Sequence, residues 1–235
     1  MLRRGINTAL LRKGGDLLSA FRAVFGKGRN MSIFDLFKKI ESEKKSAPVS
    51  YIVAGLGNPG TKYEKTRHNA GFLAIDSIAQ KLGEKINSSK FQSLCCRTTI
   101  DGTGVLLMKP QTFMNASGIA IDEAASFYKI PPEHIIVLCD DITQKPGHIR
   151  IRKSGSAGGH NGLKSVIGFC GSEFPRIRMG VGEKPAPEYD LADWVTGKLP
   201  DADMKALVSR FDDVYEALRL ILRGDYDRAM NLYNK

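Results

Sequence analysis

The chain has 235 residues, 42% hydrophobic and 26% charged, with 24 glycines, 10 prolines and 8% aromatic residues, which excludes a fibrous or disordered chain and fits a globular one. Its net charge of +10 is uneven, because residues 1–50 hold 11 Lys and Arg against 4 Asp and Glu; a basic excess favours an anionic partner and says nothing about fold. No apolar run approaches the ~18 residues of a membrane span, and Cys95, Cys96, Cys139 and Cys170 lack CxxC spacing, which excludes a disulfide framework or a zinc site and implies a reduced, intracellular setting.

The first thirty residues carry Arg3, Arg4, Arg12, Lys13, Arg22, Lys27 and Arg29 against Asp16 alone, a composition similar to a mitochondrial transit peptide. Met31 opens a second plausible start, so untargeted upstream translation explains the same stretch and is preferred. Ile33, Leu36, Phe37 and Ile40 then fall at helical spacing before a charged linker. Residues 1–50 are thus expected to be a flexible basic extension, with the domain proper spanning residues 51–235.

From Tyr51 the pattern alternates. YIVAGLG reads as a buried strand, NAGFLAIDSIAQKLG as an amphipathic helix, and LCCRTTI and GVLLMKP as two strands around an Asp101-Gly102 turn. There follow a helix near 117–128, strands HIIVLCD and HIRIR, a helix from about Asn161 to Phe169, and a strand RIRMGVG. The last third is helical: LADWVTG, then one long stretch DADMKALVSRFDDVYEALRLILR bracketed by Pro200 and Gly224. The expected fold class is α/β, a single domain with a mixed, largely parallel central sheet flanked by helices and a C-terminal helical segment.

Gly55-Leu56-Gly57-Asn58-Pro59-Gly60 follows a strand and matches the dinucleotide fingerprint as a string, but not in context. That fingerprint needs a helix opening at the glycines and an acid ~20 residues on at the end of the second strand. Here TKYEKTRH intervenes, the first acid after the next strand is Asp101, and Pro59 removes an amide. The segment reads better as a loop at a strand's carboxyl end that holds Asn58 where ligands collect in α/β folds. Three further polar clusters sit at element ends along with His68 in TRHNAG: Asn115 in QTFMNASG, Asp140 and Asp141 in LCDDI, and His160 and Asn161 in SGSAGGHNG. A histidine with a carboxylate partner and several amides supports general-base hydrolysis without a metal or covalent nucleophile. No G-x-S-x-G or H-E-x-x-H occurs, and Cys139 reads as a buried strand-end residue.

GLGNPG, TRHNAG, KPQTFMNASG, DDI with IRIRKSGSAGGHNGLKS, and FPRIRMGVG, taken in order, resemble bacterial-type peptidyl-tRNA hydrolase over nearly all of the chain after residue 50. The resemblance implies a monomeric, cofactor-free and metal-free esterase of the cytoplasm, or of the mitochondrion if residues 1–30 are a transit peptide. It would cut the ester between a nascent peptide and the 3′ ribose of its tRNA and so recycle tRNA. The expected partner is peptidyl-tRNA, at its 3′ end and acceptor stem, with no obligate protein partner. By motif, His68 matches the proton acceptor that activates water and Asp140 its supporting carboxylate. Asn58 matches a position that distinguishes N-blocked peptidyl-tRNA from aminoacyl-tRNA. Tyr63, Phe113, Asn115 and Asn161 match binding positions near the tRNA 3′ end, Asn115 also holding the attacking water, and Met114 and Gly158 line the same groove. Arg152 and Arg178 resemble a basic pair near the tRNA 5′ phosphate, although IRIR alternation alone would give solvated cations on a strand face. Thr143 and Gln144 depart from the acidic or apolar residues that relatives often carry. A related plant splicing factor makes RNA binding without catalysis the competing reading, and His68, Asp140, Asn58 and Asn115 together argue against it.

Overall fold

The computed structural model describes residues 47–234; the basic extension, its helical spacing at 33–40 and the transit-like stretch lie outside the described residues. Seven strands form one mixed sheet: β1 (Val49–Gly55), β2 (Ser88–Lys90), β3 (Ser93–Ile100), β4 (Thr103–Pro110), β5 (Ile135–Asp141), β6 (Ile149–Arg152) and β7 (Arg176–Gly180), in the order β2-β3-β4-β1-β5-β7-β6. β4, β1, β5 and β7 run parallel, while β2, β3 and β6 are antiparallel to their neighbours. The helices are α1 (Ala70–Lys81), α2 (Ser117–Tyr128), α3 (Asn161–Cys170), α4 (Leu191–Thr196), α5 (Asp201–Val208), α6 (Phe211–Leu222) and α7 (Tyr226–Tyr233).

Central strands covered on both faces need apolar residues at every position rather than alternation. β5 meets that demand from Ile135 to Cys139, and the two aspartates that end it, Asp140 and Asp141, are buried as well. Successive residues feed opposite cores. Val53, Ile136 and Leu138 pack with α1 and the C-terminal helices, whereas Ile52, Ala54, Val137 and Cys139 pack with α2 and α3. Each fully buried Val, Leu or Ile contributes roughly 1.5–3 kcal/mol by leaving water, so these two layers carry most of the stability.

Three features differ from the expectation. The stretch 201–223 is two helices, because the hydrogen-bonding shortens at its middle, where Arg210 donates to Leu207 O at 3.1 Å while the backbone stays in the right-handed region. Past Gly224 the chain forms a further helix, α7, capped where the Asp225 side chain accepts from Arg228 N. The short polar β2 also joins the sheet, paired with β3. The outer edge of β6 is filled by a side chain: Asn234 Oδ1 accepts from Ile151 N at 2.6 Å and Asn234 Nδ2 approaches Ile151 O at 3.5 Å.

The sequence direction of the sheet reverses across β1, which has β4 on one side and β5 on the other, and crevices at such switch points collect ligands. Two glycines bring α1 down onto that point. A Cβ on Gly71 would lie 2.3 Å from Leu138 O and 2.4 Å from Leu56 N, and one on Gly55 would lie 2.3 Å from Gly71 O. Backbone therefore meets backbone where α1 crosses the ends of β1 and β5, and the turn just before α1 comes within reach of the end of β5.

All four cysteines are free thiols, none of them exposed. Burial pushes the Cys96 and Cys170 thiols up to about 12, with Glu84 and Asp122 respectively adding to the shift, and raises Cys95 and Cys139 too. A thiol at about 12 holds roughly a thousandfold less thiolate at pH 8 than a free one. Native protein treated with a disulfide-exchange reagent at pH 8 should therefore label very slowly and keep its activity, releasing four thiols only on unfolding. Rapid labelling of any one thiol in the folded state would contradict this burial.

Candidate active site

Asp140 is at the end of β5, 1% exposed, and three hydrogen bonds to it define the site. His68, in the one-turn 3-10 helix Arg67–Asn69 before α1, sets Nδ1 at 2.9 Å from Asp140 Oδ1 and 3.0 Å from Oδ2. His160, capping α3, sets Nε2 at 2.9 Å from Asp140 Oδ1. Burial alone would raise the Asp140 carboxyl. The two imidazoles, by charge and by hydrogen bond, more than offset that and hold it well below the usual carboxylate range.

The second nitrogen of each ring assigns the protons. His160 Nδ1 accepts from Leu163 N at 3.2 Å, so its proton is on Nε2 and is given to Asp140. His68 gives its Nδ1 proton to the same carboxylate, which leaves Nε2 with a free lone pair. The ligand atoms of His68, Asp140 and His160 lie within 4.8 Å of one another, a spacing suited to a metal ion. The tautomer disfavours that use: a cation on His160 Nε2 would leave Nδ1 needing a proton where Leu163 already points one.

The pair opens into a cavity of about 280 Å³. His68, Asp140, Gly158, Asn161 and Arg178, all expected in the site, line it, as do His160, Lys164 and an apolar wall of Ile142, Leu191, Ala192 and Val195. Gly158 has φ 56°, and a Cβ there would come 3.3 Å from Arg178 Nη1. Arg178 forms an ion pair with buried Asp141 at 2.9 Å. Thr143, at the position departing from the family, gives its N–H and hydroxyl to the other Asp141 oxygen at 2.9 and 2.7 Å, and Gln144 donates in turn to Thr143. Arg152 is exposed and lines a separate hollow with His148 and Arg150. Strand register sets Arg152 opposite Arg176 and Arg178 opposite Arg150, so the expected basic pair is diagonal on one face of β6–β7.

Asn58, Tyr63, Phe113, Met114 and Asn115 lie outside that cavity's lining and form a second group. Asn58 is buried, its side-chain oxygen accepting from Met114 N at 2.8 Å. Asn69 clamps the Asn58 backbone from both sides, at 2.8 Å to its N–H and 3.0 Å to its carbonyl. Phe113 has φ 57° and ψ 161°, a region nearly reserved for glycine, and a non-glycine residue held there costs of order 1–3 kcal/mol. Its half-exposed ring meets Tyr63 edge-on at 6.4 Å between centroids. Asn115 is exposed in the Met114–Ala116 turn, and Met114 packs where a Cβ on Gly162 of α3 would meet its sulfur.

Sequence reasoning noticed His160 only as part of a Gly-rich cluster and passed over Asn69, Lys164 and Arg176. Arg176 is fully buried and gives N–H groups to Gly155 O at 2.7 Å, Ser172 O at 2.8 Å and Phe174 O at 3.0 Å, pinning the glycine-rich loop that ends in His160. The strand RIRMG alternates Arg176 and Arg178 with apolar residues as a solvated strand face would, so no sequence signal separated the buried Arg176, whose guanidinium needs several acceptors, from Arg178.

The family model of peptidyl-tRNA hydrolase matches residues 52–235. The peptidyl-tRNA hydrolase of Agathobacter rectalis is 48% identical over 186 residues, 78% of this chain and 100% of that protein. That of Caldicellulosiruptor bescii is 46% identical over 187 residues, covering 79% of this chain and 97% of the relative. Among solved structures, peptidyl-tRNA hydrolase from Acinetobacter baumannii superposes with a TM-score of 0.74 at 34% identity, over 80% of this chain and 99% of that one.

Proposed function

We propose a mechanism for a chain that belongs to the peptidyl-tRNA hydrolase family and hydrolyses peptidyl-tRNA: His68 is its general base, and Asp140 and His160 hold that base in its working tautomer. The single observation that carries the reading is the shared carboxylate, which accepts a hydrogen bond from both imidazoles and leaves Nε2 of His68, a residue lining the cavity, as the one ring nitrogen of the pair with a free lone pair. Nε2 takes a proton from water, and the water oxygen adds to the ester carbonyl carbon. The carbon–oxygen bond to the 3′ ribose then breaks, and the imidazolium returns its proton to the leaving ribose oxygen. Free tRNA and a peptide carboxylic acid result, the acid then losing its proton to solvent, so the tRNA is recycled.

Asn58 spends its oxygen on Met114 N and keeps its N–H groups for the substrate, which suits a residue that reads the peptide next to the ester. Asn115, exposed beside it, is assigned to the attacking water, with Tyr63, Phe113, Met114, Gly158 and Asn161 around the tRNA 3′ end. Arg152 and Arg178 are assigned to the acceptor-stem phosphate. A monomer with no obligate protein partner belongs to the same reading. Residues 51–235 are assigned as the catalytic domain and residues 1–50 as an extension. Four free thiols favour a reducing compartment, here the cytoplasm. Among the described residues no helix is long and apolar enough to cross a membrane.

The deciding experiment compares an N-acetylated aminoacyl-tRNA with the same aminoacyl-tRNA unblocked. Cleavage of the blocked ester alone is expected, and no cleavage of either would overturn the reading. Arg152→Ala, at an exposed position, should weaken tRNA substrates and make the salt dependence of apparent affinity shallower by about one phosphate contact. An unchanged slope would leave Arg152 as cover for the strand face.

A further inference from the structure

The turn that carries His68 and the apolar wall of its cavity are joined by one buried side chain. Arg67 is 5% exposed, and its guanidinium carbon lies 3.4 Å from the centroid of the Trp194 ring, in α4. Its Nη1 donates to Lys198 O at 3.1 Å and to Trp194 O at 3.3 Å, and its backbone N–H donates to Gly197 O at 3.2 Å. Leu199 N returns to Lys65 O at 2.9 Å, and Thr66 bridges to Lys198, so the two segments are laced from Lys65 through Arg67. α4 supplies Leu191, Ala192 and Val195 to the cavity, and Arg67 immediately precedes His68.

Two details show that the contact is specific. Arg67 is nearly fully buried, and burying a guanidinium costs free energy that its two carbonyl acceptors and the indole face must offset, a cost that a solvent-facing arginine would avoid. Gly197 has an ordinary φ of −72°, so its glycine is a matter of space: a Cβ there would meet Arg67 Nη1 at 3.2 Å and the carbonyls of Asp193 and Trp194 at 3.1 Å. The indole itself is anchored from its far edge, Trp194 Nε1 donating to Gly182 O at 3.1 Å beyond β7.

We propose that Arg67 is a positioning residue for the hydrolysis, a clasp that fixes His68 and the α4 wall as one rigid unit so that the base and the substrate-facing wall keep a constant separation. This rests on His68 being the base. Arginine is required because a planar guanidinium can stack on the indole while its edge reaches two carbonyls, and a lysine ammonium cannot do both.

Trp194 is the chain's single tryptophan, so its fluorescence reports the clasp directly. Arg67→Lys and Gly197→Ala should each shift that emission to the red and raise its quenching by acrylamide, the glycine variant less. Arg67→Lys should lower kcat on N-acetylaminoacyl-tRNA by roughly 10- to 100-fold, the scale of a small misplacement of a reacting group, with KM moving less. The Nδ1 proton resonance of His68 against Asp140 should move in the same variant. Gly197→Ala leaves the arginine in place and keeps the test readable if Arg67→Lys folds poorly. A shifted tryptophan emission with wild-type kcat and an unmoved His68 resonance would overturn the clasp, as would a kcat loss that tracks the unfolded fraction at the assay temperature. Failure of the wild type to cleave the blocked ester would instead remove the hydrolytic reading, a result told apart by the wild-type control.

Discussion

His68→Ala is expected to lower the turnover of peptidyl-tRNA by about 10²- to 10⁴-fold, the usual worth of a positioned general base, while tRNA affinity stays close to that of the wild type. The separation follows from where His68 is. It is buried at 6% exposure, bonded to a carboxylate and backed by Arg67, with the cationic groups Lys164 and Arg178 elsewhere around the cavity. Losing it removes a proton acceptor and no phosphate contact. Single-turnover cleavage alongside equilibrium tRNA binding checks both halves, and near-normal cleavage by the variant would remove His68 from the mechanism.

Asp140→Asn should cost a similar factor for a less obvious reason. His160 can only donate toward residue 140, because its other nitrogen is committed to Leu163 N–H. An asparagine at 140 therefore turns its oxygen toward His160 and its N–H₂ toward the second oxygen site, so His68 Nδ1 meets one acceptor at 2.9 Å and one donor at 3.0 Å where it had two acceptors. The N–H₂ opposes a proton on Nδ1 and shifts His68 toward the tautomer protonated on Nε2, the wrong one for a base. A drop of order 10²- to 10⁴-fold in kcat with an unchanged fold is the expected outcome. Turnover within a few-fold of wild type would reduce Asp140 to a strand-end cap.

The same substitution has a pH signature in stability. A carboxyl whose folded pKa lies below its unfolded value adds stability above the unfolded value and loses it as the pH falls through the folded one. Asp140 is such a group, held down by its two histidines against the cost of burial. The stability gap between wild type and Asp140→Asn should therefore be widest above the ordinary carboxylate range and close in acid. Denaturant melts across the acid range measure it.

Most of the sheet was legible because its signals are local, apolar runs of strand length with polar motifs at their ends; the pairing of His68 with Asp140, 72 residues apart, was legible only through the ordered motifs that resemble the family. The break in the C-terminal helical stretch was not, since Ser209 and Arg210 keep helical dihedrals and the apolar spacing continues through them. Nothing in composition marks Gly or Pro there. Helix α7 had a readable cap in Asp225 and an i, i+3, i+4, i+7 spacing of Tyr226, Ala229, Met230 and Tyr233, but at eight residues it is short and follows the Gly224 that reads as the end of the helical stretch. β2 is three polar residues whose strand character comes only from pairing. His160 was visible as a residue and invisible as a partner, because its role depends on a bond 20 residues away in sequence. Arg67 and Asn69 flank the catalytic histidine in the motif itself, yet what they do is set by segments 127 and 11 positions distant, which spacing along a chain does not encode.

The side chain of Asn234 on the outer edge of β6 bears on how the protein behaves in crowded solution. A bare strand edge offers alternating N–H and C=O groups to any extended peptide, and that is the template by which sheets grow between molecules. In β6 the outward pair at Ile151 is already taken by a carboxamide, which has one donor and one acceptor in the arrangement of a peptide unit but no chain to continue from. At the opposite edge β2 presents only three residues, two of them serines and the third a lysine. Among the described residues the margin at Ile151 is thus capped by a side-chain amide, and the opposite margin starts with a short polar strand over Ser93–Cys95, so at both places strand addition from another molecule is discouraged without the sheet closing into a barrel.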